Sequence, residues 1–314
     1  MSTEPGCQIT NDGRSEQGSI AHAAALAATA DATVLTVGLD GSVEGEGHDR
    51  FSIEFPGNQS TLIEAVSTAA KGPVIVVFIG GGCVDMSAIK ASPHVHAIII
   101  AGYPGQEGGN AIAQTIYGDN NPAGRLTQTW YEKQFISQCS MFDMQMRPNA
   151  TTGCPGRTHR FYTGTPVFKF GEGMSYSSFE YTEVSLDGGS DDDPSPSLSL
   201  NDLSAQIAAH QNRPHLAPAV LHLAVDVTNT GQRDGDEVAL LYAVPPAGLE
   251  SAPLQNLRGY QRVHLRAGES TSLRFELTSH DLAFGQADGT MGTAAGEWQL
   301  RVGSANAIKL HVVV

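Results

Sequence analysis

Four carboxylates, a histidine and an arginine crowd into the thirteen residues from Gly38 to Arg50: Asp40, Glu44, Glu46 and Asp49 stand beside His48 and Arg50. Carboxyl groups this close raise one another's proton affinity, so a glutamate among them can keep a proton and serve as a general acid. Gly38, Gly41, Gly45 and Gly47 interrupt the run and let it project as a loop. Two blander readings fit the same composition. One is a solvated acidic loop; the other is an oxygen cluster of the kind that binds calcium.

Other chemical signals are sparse. The chain has no P-loop, no G-x-S-x-G elbow and no H-E-x-x-H pattern. Gly102-Tyr-Pro-Gly-Gln-Glu-Gly-Gly109 has the form of a strand-to-helix turn whose amides can face an anion. It departs from G-x-G-x-x-G, and a tight packing turn is the better reading. Gly80-Gly81-Gly82 reads as another strand-to-loop turn. The eleven histidines are scattered, and the His94/His96 pair has no third ligand in view, which argues against a metal. No cofactor is expected. The four cysteines form no C-x-x-C pair. Cys83 reads as a small core residue. Cys139 and Cys154 lie in irregular sequence, and spacing alone leaves their pairing open.

The elements that must position the acidic loop follow from periodicity. An Ala-rich helix over 19–30, with Ser19 as its N-cap, leads into an apolar strand over 32–38. A helix over 58–71, strands over 74–79 and 95–101, helices over 85–91 and 108–117, and a strand over 125–130 continue the alternation. Continuous apolar strands separated by helices predict a mostly parallel sheet with helices on both faces, an α/β domain over 1–183. The acidic loop then follows the carboxyl end of the first strand, where open α/β sheets bind ligands. Residues 184–213, rich in Ser, Pro and Asp at their start, read as an acidic linker. Period-two alternation returns in Leu221-His-Leu-Ala-Val-Asp-Val227, and strands are expected over 219–228, 236–244, 257–265, 269–278, 296–303 and 308–314. About seven strands in roughly 100 residues predict a β-sandwich over 214–314.

Composition narrows the partners. With 18 basic and 33 acidic side chains the formal charge is −15, which argues against nucleic acid. The longest apolar stretch, 73–82, falls well short of the ~20 residues that cross a bilayer, so no membrane partner is expected. The first twenty residues show no secretory signal. The sequons at Asn58 and Asn149 are compatible with secretion.

Several long stretches resemble the carboxy-terminal part of glycoside hydrolase family 3, most closely its β-xylosidase branch. They are GLDGSVEGEGHDRFSIEFPGNQ from Gly38, GYPGQEGG from Gly102, NPAGRLTQTWY from Asn121, MRPN from Met146, CPGRTHRFYTG from Cys154 and FGEGMSYSSFEYT from Phe170. The β-rich end is similar to that family's fibronectin type III-like domain through VTNTGQRDGDEVALLY, LRGYQRVHLRAGES and GEWQLRVG. In such enzymes a barrel domain supplies an aspartate nucleophile, and the α/β domain supplies the acid/base glutamate on a loop. The family pattern I-E-A-E-G-x-D-R lays its first glutamate on Glu44, with Glu46 the alternative. Asp49 and Arg50 match the D-R that follows, either as an internal ion pair shaping the loop or as substrate contacts.

The resemblance implies retaining hydrolysis of β-1,4-xylooligosaccharides outside the cell, with a raised pKa on the loop glutamate and the two carboxyls ~5–5.5 Å apart. A β-glucosidase or an α-L-arabinofuranosidase is the alternative within the family. The chain opens inside the α/β domain, with no barrel before it. Neither Asp40 nor Asp85 lies in a motif that supports a substitute nucleophile. The expectation is a portion of a glycosidase that is inactive alone and needs the barrel as its partner. A carbohydrate-binding or partner-docking protein without catalysis, or a module for a separately encoded barrel, are the competing readings.

Overall fold

A computed structural model describes residues 1–10, 16–186, 196–249 and 251–314 of the chain. They form two compact units. One comprises 1–120, 128–143 and 165–169; the other comprises 121–127, 144–164 and 170–314.

The first unit is built on α1 (Gln17–Ala27), β1 (Thr33–Gly38), α2 (Gln59–Ala69), β2 (Val74–Ile79), α3 (Ser87–Ala91), β3 (Ala97–Gly102) and α4 (Gly108–Tyr117). The strands form a parallel sheet in the order β1-β2-β3, with Thr33 opposite Val74 and Val76 opposite Ile98. β2 is buried along nearly its whole length, which explains its unbroken apolar run, Val-Ile-Val-Val-Phe-Ile. α2 turns Leu62, Ile63 and Val66 inward at helical spacing and packs on α1. α4 closes on Gly118 in the left-handed conformation, the usual glycine stop. Phe78 stands edge-on to both Phe55 (5.9 Å) and Trp130 (5.7 Å), so the sheet end beneath the acidic loop is rigid aromatic packing. A further short helix, α5 (Phe135–Gln138), lies in the same unit.

α1 begins two residues before the expected Ser19 cap, with Glu16 at the N-cap position. The strand expected over 125–130 does not form. Trp130 makes only an isolated antiparallel bridge, to Phe168. Residues 121–127, 144–164 and 170–183, assigned from sequence to the α/β domain, fall in the second unit.

That second unit contains α6 (Thr158–Phe161), β4 (Phe179–Leu186), β5 (Ser197–Ser199), α7 (Leu200–Ala209), β6 (Ala219–Asn229), β7 (Gly235–Val244), β8 (Asn256–Leu265), β9 (Ser270–Thr278), β10 (Phe284–Gly285), β11 (Met291–Gly292), β12 (Gly296–Val302) and β13 (Ile308–Val313). Sheets β5-β13-β12-β7-β8 and β4-β6-β9 enclose one core. Val225, Val227, Leu241, Leu273, Trp298, Leu300 and Leu310 fill it. Each such side chain contributes about 1.5–3 kcal/mol by leaving water. The expected linker is ordered at its described ends. β4 runs to Leu186, β5 pairs with β13, and Leu203 and Ile207 of α7 are buried. Ser199 caps α7 by accepting the Asp202 N–H at 3.3 Å. The acidic tract 187–195 lies outside the described residues.

Two polar knots brace this unit. Glu237, buried on β7, takes the Tyr181 hydroxyl on Oε1 and Arg125 Nη2 on Oε2, both at 2.7 Å. Fully buried Asn229 donates to the Arg233 and Leu265 carbonyls and accepts from Ser177 Oγ and the Gly231 N–H, stitching the β6–β7 turn. Cys7 and Cys83 carry free thiols.

Candidate active site

β1 leaves the sheet through a glycine because nothing larger fits. A Cβ on Gly38 would lie 1.9 Å from the Ile79 carbonyl oxygen. Buried Gln59, at the start of α2, clamps the same residue: Oε1 takes the Gly38 N–H at 2.7 Å and Nε2 donates to the Gly38 carbonyl at 2.8 Å. The chain then turns twice. Asp40 accepts the Ser42 N–H (2.9 Å) and hydroxyl (2.5 Å), while its carbonyl accepts the amides of Val43 and Glu44. Gly45 and His48 pair antiparallel through two backbone bonds, with Gly47 at φ 73°. Glu46 is therefore at the tip of a tight turn, exposed, and Glu44 is at its base.

Glu44 is directed back onto the ends of β2 and β3. Its Oε1 accepts the Gly81 N–H at 2.9 Å, the Gly82 N–H at 3.1 Å and the Tyr103 hydroxyl at 2.8 Å. Its Oε2 lies 3.1 Å from Arg50 Nε. Arg50 is itself held by the Cys83 carbonyl, 3.0 Å from Nη2. The two glycines are required by proximity. A Cβ on Gly82 would lie 2.3 Å from Arg50 Nη2 and 2.7 Å from Glu44 Oε2, and one on Gly81 would lie 2.9 Å from the Tyr103 ring.

The electrostatics correct one expectation. Partial burial pushes the Glu44 carboxyl up, but hydrogen bonds from Tyr103, Gly81 and Gly82 and the charge of Arg50 together hold it below the usual glutamate range. The loop glutamate is thus a stabilised carboxylate in this chain rather than one with a raised pKa. Its neighbour responds in the opposite direction. Desolvation, the bond to Glu44 and the charges of Glu44 and Asp40 push the Tyr103 phenol up.

The remaining candidates separate cleanly. The expected partner of Arg50 within the D-R pair was Asp49, which is exposed; the ion pair forms with Glu44. Asp40 is engaged in a turn with Ser42, and Asp85 accepts the amide of Ser87 in its own turn and that of Lys133 from a distant segment, at 2.8 Å each. Cys83 accepts the Tyr131 N–H, and burial pushes its thiol up to about 11, leaving it inert. Phe51, beside Arg50, is 91% exposed. Sequence reasoning read Gly81, Gly82 and Tyr103 only as parts of turns, with no role at the site. The available signal was that two glycine-rich turns, at 80–82 and 102–109, leave the same sheet at the same end as the acidic loop. Among the described residues no group of three or more His, Cys, Asp and Glu side chains is placed to hold a metal. No helix among them is long and apolar enough to cross a membrane.

Residues 4–176 match the Glycosyl hydrolase family 3 C-terminal domain, and residues 237–306 match the Fibronectin type III-like domain. The chain is 40% identical to Probable beta-D-xylosidase 6 of Arabidopsis thaliana over 79% of its own length and 32% of that protein's. It is 35% identical to Beta-xylosidase/alpha-L-arabinofuranosidase 2 of Medicago sativa subsp. varia, over 88% and 36%. Among solved structures it is similar to a GH3 exo-beta-xylosidase (XlnD) in complex with a xylobiose aziridine activity-based probe. There the TM-score is 0.86 and the identity 32%, over 98% of this chain and 39% of that one. The chain therefore spans about a third of the length of the relatives it matches.

Proposed function

The chain belongs to glycoside hydrolase family 3, and we propose on that premise that it forms the acid/base half of a retaining β-xylosidase. The observation that carries the proposal is the placement of Glu44. Its carboxylate is fixed at the carboxyl ends of parallel strands by four groups from three separate segments, as a proton-transfer group must be fixed to work. Glu46, at the exposed tip, is the alternative donor.

Retaining hydrolysis needs a second carboxylate ~5–5.5 Å from the acid, supplied in this family by the barrel domain. Glu44 as it stands is ionised, the state required of the base. In the hydrolytic step it takes a proton from water as that water attacks the glycosyl–enzyme bond. For the first step it must carry a proton. An ionised nucleophile beside it and the loss of water under a bound sugar both raise its pKa, offsetting the donors around it. Once the nucleophile is esterified its charge is gone, and Glu44 returns to the carboxylate. The two roles of one residue thus follow from a charge that appears and disappears nearby.

Xylose release is the favoured specificity, because the Arabidopsis and Medicago relatives and the XlnD structure are named xylosidases. An α-L-arabinofuranosidase activity is the second reading, since the Medicago relative bears both names. Secretion and a part in xylan breakdown belong to the same proposal. The experiment is to join this chain behind a family 3 β-xylosidase barrel and assay an aryl β-xyloside. Activity that falls roughly 10²–10⁴-fold in Glu44→Gln, a typical general acid/base contribution, supports the assignment. Full activity in Glu44→Gln with loss in Glu46→Gln transfers the role to Glu46.

A further inference from the structure

The four groups around Glu44 are not equivalent. The amides of Gly81 and Gly82 donate only, and the guanidinium of Arg50 donates only. A protonated Glu44 would set its own O–H against one of these donors. The Tyr103 hydroxyl alone both donates and accepts, and it rotates about a single bond. Tyr103 is 55% exposed, and besides its bond to Glu44 its hydroxyl takes a backbone hydrogen bond from Gly81. Gly81 and Gly82, lacking Cβ atoms, leave room for the ring and the guanidinium to close on the same carboxylate.

We propose that Tyr103 is a positioning residue for Glu44, the one member of the cradle that turns from donor to acceptor and so accommodates both the carboxylate and the carboxylic acid. With Glu44 ionised, the phenol donates to Oε1 at 2.8 Å, as observed. With Glu44 protonated, the phenol accepts the Glu44 O–H and directs its own hydrogen outward, while the amides keep their bonds to the other lone pairs. The charged groups acting on the pair are Arg50 on Glu44, and Glu44 and Asp40 on Tyr103. The proposal rests on Glu44 being the acid/base, but its test does not use activity.

The carboxyl carbon of Glu44 is followed by NMR through a pH titration of the 314-residue chain, assigned by its loss in Glu44→Gln. In Tyr103→Phe the midpoint is expected to move upward, because the charge-assisted bond lost from the carboxylate is stronger than the neutral bond lost from the acid. Independently, the ultraviolet titration of Tyr103 is expected to move downward in Glu44→Gln, since its anionic acceptor is gone. The second measurement stands if Tyr103→Phe fails to fold. A Glu44 midpoint unchanged in folded Tyr103→Phe, or a Tyr103 titration unchanged in Glu44→Gln, overturns the proposal. Coupling in both titrations alongside full activity of Glu44→Gln in the barrel fusion would instead overturn the catalytic assignment and leave the pairing intact.

Discussion

Arg50 Nε approaches Glu44 Oε2 to 3.1 Å, with the two side chains 14% and 18% exposed. The pair closes the acidic loop on itself, joining a residue at the base of the Gly45–His48 turn to one just beyond it. It also ties the loop to the sheet, because Arg50 reaches the Cys83 carbonyl. Loop geometry and carboxylate charge are therefore set by the same contact.

Glycine at position 82 is a condition of that contact. Gly82→Ala places a methyl where Arg50 Nη2 and Glu44 Oε2 now lie. Calorimetric melting should show a loss of about 1–3 kcal/mol, the usual cost of overpacking. The Glu44 titration should also move toward the ordinary glutamate value. An unchanged melt would mean the pair shifts freely.

Gln59→Leu removes the amide that serves both backbone groups of Gly38. Two polar groups at the end of β1 are then left buried without partners, so the expected cost is about 1–3 kcal/mol for each. Denaturant unfolding measures it. Gln59→Glu should be destabilising as well, since it loses the Nε2 donor.

The acid arm of stability should depend on Glu44. Its pKa is depressed in the folded chain, so the stabilisation is present above the ordinary glutamate value and is lost as pH falls through the depressed one. Wild type and Glu44→Gln should differ most near neutrality and converge on acidification. A constant gap across that range would show that the carboxylate's charge contributes nothing.

In the β-rich unit, Glu237→Leu leaves Arg125 without its anion and Tyr181 without its acceptor. Breaking such a buried pair costs about 3–5 kcal/mol. The double change Arg125→Met with Glu237→Leu should cost less than the sum of the single ones in a double-mutant cycle. Strict additivity would mean the groups act independently.

How far the sequence was legible varies with the range of the contacts. β2 was readable to the residue because its burial shows as an unbroken apolar run, and α4 likewise because glycines mark its start at Gly108 and its stop at Gly118. The six strands from β6 to β9 and of β12 and β13 were readable to within one or two residues because their burial is carried by local periodicity. α7 was obscured by the Ser/Pro-rich tract before it, although Leu200, Leu203 and Ile207 already stood at helical spacing. Residues 125–130 look like a strand, yet Trp130 bonds with Phe168 and Val167 and no ladder continues from there. The loop carrying Glu44 was visible from composition. Its cradle was not: Gly81, Gly82 and Tyr103 lie 37 to 59 positions away, and only the fold brings them to one carboxylate.

The central claim is that Glu44 transfers the proton. The most direct measurement is azide rescue of Glu44→Ala in the barrel fusion, using an aryl β-xyloside whose good leaving group needs no acid. The account predicts slow turnover without azide, acceleration with it, and β-xylosyl azide as the product, because the small anion attacks the glycosyl–enzyme where the base is missing. Turnover indifferent to azide, with xylose the only product and wild-type rates retained, would contradict it.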